Sequence, residues 1–276
     1  YNFTDWTTRF SSLDNEVFAP NREELDLLDS SRVKNYLEEH KFDVVIHAAT
    51  YDAAPRFSTK DPMAVLENNL RMFFNVAHCK DSFGKMICFG SGAEAGRENW
   101  IPKMSEEYIG SNVPPDQYGY SKYIMNRYAQ CSDNIYNIRL FSVFGEGDDW
   151  RYRTVSNLCC KKMLGKELIL PKDQKRDFLY IKDLISLVEL FMEIDSEFHD
   201  YNACSGRPLS DSDVARKLDE DFVYTGEVLP EYTGSNKRLL CEFPYLKFTP
   251  FDVALNNMIK YYTKEKCSVD EGLLEY

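Results

Sequence analysis

Tyr118 and Lys122 stand four residues apart in the run Tyr118-Gly119-Tyr120-Ser121-Lys122. On a helix this spacing puts a phenol and an ammonium on one face. A free tyrosine titrates near ~10 and is a poor base at neutral pH. A cation held beside it favours the phenolate, so the pair can give or take a proton at a hydroxyl or carbonyl. The spacing alone recurs by chance among 18 tyrosines, as at Tyr262/Lys266. The bland alternative is an exposed amphipathic helix. A second candidate is Ser91, in Gly90-Ser91-Gly92-Ala93-Glu94-Ala95-Gly96, directly after the apolar run Lys85-Met86-Ile87-Cys88-Phe89. Ligands of α/β sheets lie beyond the carboxyl ends of the strands. Ser91 is therefore placed to donate a hydrogen bond to a carbonyl oxygen, or else is a turn serine.

The elements that position these residues alternate in type. Asn15–Pro20 reads as a strand ended by proline. Asp29-Ser30-Ser31 caps a helix over about 32–40, with Val33, Tyr36 and Leu37 on one face. Phe42–Ala49 is a near-continuous apolar run, as in strands buried on both faces. Asp61-Pro62 opens a helix to about Cys79, Lys85–Gly90 is a strand, Tyr118–Gln130 a helix and Tyr136–Phe141 a strand. This alternation predicts an α/β chain with a doubly wound parallel sheet and right-handed crossovers. After about 145 the pattern loosens. A turn at Gly145–Asp149, a helix over Val155–Leu164, strands at Leu168–Leu170 and Phe178–Ile181, and a helix over Ile185–Met192 precede short elements suited to a cap.

The chain has 276 residues, enough for one large α/β domain or a nucleotide-binding domain with a small cap. Its 43% hydrophobic and 14% aromatic content is that of a folded protein. There is no apolar run of about 18 residues, so no membrane span is expected, and no signal peptide is visible. The net charge of −12 opposes nucleic-acid and anionic membrane partners. The eight cysteines form no CxxC pair and the four histidines no HxxxH or HExxH pair. The expectation is reduced thiols, no metal and a cytoplasmic location.

Several further pieces fall in one order: Glu24–Asp29, His47-Ala48-Ala49, Asn69, Ser91, Tyr118-x-x-x-Lys122, Arg139–Gly145, Lys175–Asp183 and Tyr201–Gly206. In that order the chain resembles the extended short-chain dehydrogenase/reductases, the nucleotide-sugar epimerase/dehydratase/reductase group, over about Asn15 to Tyr262. The resemblance implies a Rossmann-type doubly wound sheet with a smaller C-terminal α/β substrate-binding cap. Residues 1–145 would form the dinucleotide domain and 146–276 mainly the cap, with about 175–205 returning to the Rossmann domain.

Roles follow from the same resemblance. Tyr118 would be the acid/base, Lys122 would lower its pKa and hold the nicotinamide ribose, and Ser91 would bind the reacting oxygen. Asp26 and Leu27 would flank the adenine, Ala48 and Ala49 would line the middle of the cofactor, and Asn69 belongs to the same cofactor set. Arg176 would reach the substrate diphosphate bidentately, or else pair with Asp177. Arg22 matches the NADP-binding position of GDP-fucose synthases, making NADP(H) the preferred cofactor and NAD(H) the second candidate, unless Arg22 is a solvated partner of Glu23 or Glu24. The group's glycine-rich turn, G-x-x-G-x-x-G, has no counterpart before Asn15, so the first strand and that turn are expected to be missing from the sequence. The dehydratases' Asp-Glu after the serine is replaced by Gly92-Ala93. The Cys and His of GDP-fucose synthases fall on Ala93 and Arg153, which argues against double epimerisation and leaves Arg153 as a substrate contact.

The implied function is NAD(P)-dependent hydride transfer at a ring carbon of a nucleoside-diphosphate sugar, by 4-keto reduction or 4-epimerisation, in a homodimer. Met72 and Phe73 would pack in the dimer interface or against the sheet. The alternative is a non-catalytic nucleotide-sugar or dinucleotide binder of the same fold.

Overall fold

A computed structural model describes residues 4–13, 15–53, 58–264 and 269–275. Lys266 and Cys267 lie outside them. In chain order the elements are α1 (Thr4–Ser11), α2 (Ser30–His40), β1 (Val44–His47), α3 (Val65–Ala77), β2 (Lys85–Ser91), α4 (Glu106–Ile109), α5 (Gln117–Gln130), β3 (Ile135–Leu140) and β4 (Ser142–Phe144). There follow α6 (Thr154–Met163), β5 (Ile169–Arg176), β6 (Phe178–Tyr180), α7 (Ile181–Glu193), β7 (Asp200–Ala203) and β8 (Leu209–Ser210). The last are α8 (Asp211–Leu218), β9 (Val223–Tyr232), α9 (Lys237–Glu242) and α10 (Phe251–Lys264).

The central sheet has the order β1-β2-β3-β7, with every pair parallel. It is a Rossmann-type sheet sandwiched between helices. On one face α2, α3 and α5 bury Val33, Leu37, Phe73, Val76, Met125 and Ala129 against Met86 and Ile135. On the other, α1 and α7 cover Ile87, Phe89 and Ile138. Trp6 of α1 meets Phe89 edge-on at 5.8 Å, and Arg9 pairs with Glu189 of α7 at 2.5 Å. A second, smaller sheet has the order β8-β5-β9. No helix among the described residues is long and apolar enough to cross a membrane.

Local chemistry explains the elements. Asp29 caps α2 by accepting from the backbone N–H groups of Ser31 and Arg32, and Lys41 closes it in the left-handed region at φ 49°. Proline at 62 yields a short 3-10 turn, Pro62–Ala64, before α3. Phe73 is fully buried against the sheet, so of the two residues considered for a dimer contact only Met72 keeps surface.

Three readings need correction. Asn15–Pro20 is not a strand. It runs alongside no ladder partner among the described residues, and Phe18 instead packs edge-on against His40 and Phe42. An extended segment without a neighbouring strand has only side-chain packing to hold it. The strand expected at Leu168–Leu170 continues to Arg176, because it pairs with both β8 and β9. Ile181 begins α7 rather than ending a strand.

The sheet's centre holds a cation without solvent. Arg139 is completely buried and donates to Glu94 at 2.8 Å, to Asn202 at 2.9 Å and to Asp200 at 3.2 Å. Asp200 also takes the guanidinium of Arg238. Removing one partner of such a pair strands the other charges. Arg139→Met is expected to cost about 3–5 kcal/mol, read as a lower urea midpoint at unchanged slope. A loss below about 1 kcal/mol, typical of an exposed pair, would contradict this picture.

Candidate active site

Ser91 closes β2 and opens a single 3-10 turn, Gly92–Ala95. Its Oγ accepts from the backbone N–H of Ala93 at 3.2 Å, and its own N–H donates to Glu94 Oε1 at 2.9 Å. This reciprocal capping box fixes the serine's backbone. Asn137 also donates to Glu94, at 3.3 Å. Burial pushes the Glu94 carboxyl up, and Arg139 opposes the shift.

Tyr118 arrives on α5, whose N-cap Asp116 accepts from Gly119 N–H at 2.8 Å. Gly119 lets the helix press on the serine loop: a Cβ there would lie 2.6 Å from the Ala93 carbonyl oxygen. That approach brings the Tyr118 phenol near Ser91, whose hydroxyl favours the phenolate. Ser121 returns its hydroxyl to the Tyr118 carbonyl at 2.7 Å. Lys122 is buried, with Nζ 2.9 Å from the Phe89 carbonyl and 5.8 Å from the centre of the Tyr118 ring.

The electrostatics differ from the expectation that Lys122 lowers the Tyr118 pKa. Burial raises it above the ordinary phenol value, with Ser91 and Arg153 opposing and Asp52 and Glu94 reinforcing. The ammonium lies over the ring and is anchored on the Phe89 carbonyl. Burial also lowers the pKa of Lys122, with Cys88 and Glu94 opposing. His47, buried beside it, is pushed down to about 3 by burial and the Lys122 charge, so it is neutral at ordinary pH.

The remaining candidates are spread around this centre. Asn69, buried on α3, accepts from Tyr51 N–H at 2.7 Å and donates to Ser121 Oγ at 3.4 Å, tying the loop after β1 to α5. Ala48 packs on the core and Ala49 is partly buried beyond the end of β1. Arg153 is 3.5 Å from Asp148, and its charge reaches Tyr118. Arg22 is exposed and 3.5 Å from Asp26, rather than paired with Glu23 or Glu24. Asp26 accepts from Leu28 N–H at 3.0 Å, which with Arg22 holds its carboxyl below the usual range. Leu27 packs against the α2–α3 cluster. The carboxylate beside Arg176 is Asp211, at 3.0 Å, rather than Asp177. Asp177, in the one-residue link between β5 and β6, instead accepts from Ser205 and Gly206.

Two residues of the site escaped the sequence reading. Glu94 had a legible signal, the Ser91-x-x-Glu94 capping-box pattern. Tyr232, at the end of β9, had none. Its hydroxyl lies 3.3 Å from Ser91 Oγ, across more than a hundred residues of chain.

Residues 4–204 match the profile of the NAD dependent epimerase/dehydratase family. An ADP-L-glycero-D-manno-heptose-6-epimerase from Brachyspira hyodysenteriae is 23% identical over 257 residues, 88% of this chain and 77% of that protein. A GDP-L-fucose synthetase from Naegleria fowleri, solved with NADP, superposes with a TM-score of 0.80 at 18% identity, over 96% of this chain and 90% of its own. The GDP-mannoheptose C4 reductase of Campylobacter jejuni, also with NADP, gives 0.81 at 17% identity and 94% of both chains. At such identities the solved structures establish the shared fold.

A nicotinamide dinucleotide is the group that this fold implies. Tyr118 and the buried Lys122 fit its nicotinamide-ribose end, and the small Ala48 and Ala49 fit a cofactor crossing the end of β1. Among the described residues, no glycine-rich turn offers N–H groups to the pyrophosphate.

The close approach of α5 to the serine loop is testable. Gly119→Ala forces a methyl against the Ala93 carbonyl and is expected to cost about 1–3 kcal/mol. Wild-type stability in chemical denaturation would show that the contact is slack.

Proposed function

Since the chain belongs to the NAD dependent epimerase/dehydratase family, we propose that it acts at a ring carbon of a nucleoside-diphosphate sugar, with Tyr118 moving the proton. When bound, a nicotinamide dinucleotide supplies or accepts the hydride. The observation that carries this reading is the packing of α5 on the serine turn at the carboxyl end of β2, which gathers Ser91, Tyr118 and Lys122, with the Lys122 ammonium over the phenol ring.

A sugar carbonyl oxygen seated between the two hydroxyls takes a hydrogen bond from Ser91 and a proton from Tyr118. Burial keeps Tyr118 protonated through neutral pH. A protonated phenol suits donation, which favours reduction of a 4-keto sugar over a reaction that begins with a base. Lys122 holds the ribose, Asp26 and Leu27 flank the adenine, and Asn69 keeps the loop after β1 in place beside the cofactor. Arg22, exposed at the surface and held only by a long contact to Asp26, can turn toward a 2′-phosphate, which supports NADP(H) over NAD(H). Arg153 and Arg176 supply cations to the sugar nucleotide's diphosphate. Pairing through α3 and α5 would give a homodimer with Met72 at the contact.

Parallel fluorescence titrations with NADPH and NADH, followed by an assay with GDP-4-keto-6-deoxymannose and NADPH, test the reading. Tyr118→Phe is expected to lower turnover by about 100-fold or more while NADPH still binds. Undiminished turnover in that variant would remove Tyr118 from the chemistry, and binding without turnover on any keto sugar would leave a binding protein.

The pH dependence has a definite sign. The donor works in its protonated form, and a raised pKa moves its loss to higher pH. The reduction rate should therefore hold through neutrality and fall only above about pH 10. A fall centred near neutral pH would point to a different donor.

A further inference from the structure

Tyr232 lies beside the catalytic pair but comes from the smaller sheet. The first part of β9 is exposed, with Val228 77% accessible, whereas Tyr232 is only 9% accessible. Its ring lies against Trp100 at 4.2 Å between centroids and against Phe141 at 5.3 Å. The Trp100 indole N–H donates to the Gly92 carbonyl at 3.3 Å, so this aromatic wall is fastened to the serine loop. Gly92 leaves room for it: a Cβ there would lie 2.6 Å from the Tyr232 ring and 2.7 Å from Phe141. The chain just beyond Tyr232 is also fixed. Met104 N–H donates to the Thr233 carbonyl at 3.0 Å, and Ser235 N–H to the Met104 carbonyl at 2.8 Å.

The donor and acceptor inventory then decides the direction of the Ser91–Tyr232 bond. A serine hydroxyl has one proton and two lone pairs. One lone pair of Ser91 takes the Ala93 N–H. Among the described residues, Ser91 Oγ is the recorded partner of the Tyr232 hydroxyl, and a buried hydroxyl proton needs an acceptor. The phenol proton therefore goes to the second lone pair. That leaves the serine's only proton to point toward Tyr118 and the reacting oxygen. Burial pushes the Tyr232 phenol up to about 12, so it stays a neutral donor.

We infer that Tyr232 is a positioning residue that donates to Ser91 Oγ and thereby turns the serine's single proton toward the reacting oxygen. Its part in turnover rests on the function proposed above. Its effect on the Ser91 proton beside Tyr118 does not. Arg176, the candidate diphosphate ligand, is the register partner of Tyr232 across β5 and β9. The same stretch of the smaller sheet would then carry both the anion-binding and the proton-orienting contacts.

Tyr232→Phe keeps the ring and removes only the hydroxyl. In protein labelled with carbon-13 at the tyrosine ζ position, the Tyr118 resonance, assigned with Tyr118→Phe, is expected to move on Tyr232→Phe. It is expected to stay in place when the same change is made in a Ser91→Ala background. No movement in the serine protein, or equal movement in both backgrounds, overturns the inference without reference to any substrate. In the keto-sugar assay, Tyr232→Phe should lower kcat about tenfold, the worth of one hydrogen bond, with KM little changed and no further loss in Ser91→Ala. Full activity in Tyr232→Phe, or additive losses, would also overturn it. If the wild-type protein turns over none of the sugars, the functional reading fails while the resonance experiment still decides the role of Tyr232.

Discussion

Arg139 is a permanent cation sealed inside the sheet, and the geometry of the candidate site depends on how its charge is matched. Desolvating each ion of such a cluster costs several kcal/mol, recovered only when carboxylates converge with good hydrogen bonds. Glu94 and Asp200 converge on it, and Asn202 takes a further N–H. Glu94 has a second task, because its other oxygen holds the backbone N–H of Ser91. The turn after β2 therefore cannot shift without leaving buried charge unmatched. Ser91 is set in place by an ion pair two strands wide rather than by its own loop.

The same cluster reaches the segments around α4, α9 and the end of β9. Asp200 binds Arg238 of α9, which also pairs with Glu107 of α4. Asn202 donates to the carbonyls of Met104 and Ser235. The segment that follows β9 is thus pinned to the ends of β3 and β7 by the groups that satisfy Arg139. Tyr232 sits at the point where this segment meets the serine loop. Its closeness to Ser91 is a consequence of charge neutralisation deeper in the sheet, combined with a missing side chain at Gly92.

What was legible in the sequence follows from the range of each interaction. The parallel sheet could be read because its buried strands are continuous apolar runs, and α2 because Asp29 caps it locally. Tyr118 and Lys122 share one helix, so their spacing already carried their geometry. The serine turn carried its capping box. Asn15–Pro20 misled because β-branched and aromatic content shows that a segment is extended, not that a partner strand lies beside it. Arg176 has Asp177 as its sequence neighbour, but that carboxylate is taken by Ser205 and Gly206, and a residue 35 positions later pairs with the arginine. Tyr232 was unreadable for the same reason on a larger scale. Its significance depends on where β9 ends, which no local pattern encodes. The spacing of Tyr118 and Lys122 specifies a nearby cation but not how deeply the phenol is buried, and burial raises its pKa.

The acidic balance of the chain is compatible with an anionic ligand once the local partners are considered. Under the proposed function, Arg176 and Arg153 face a diphosphate, yet each lies beside a carboxylate, Asp211 and Asp148. Both carboxylates are buried, and burial works against their charge. Asp211 is pushed up to about 6 against the pull of Arg176, and Asp148 is raised despite Arg153. Such partners hold a guanidinium in a fixed direction while being reluctant anions themselves. A phosphate that approaches Arg176 meets an oriented donor fork. Its charge raises the Asp211 pKa further, so the carboxyl can take up a proton and the repulsion between the two anions falls. The arginines are then preorganised by groups that yield to the ligand, and a net charge of −12 spread over the surface is screened within about 10 Å at ordinary salt. What a diphosphate encounters is the local pair rather than the chain's total charge.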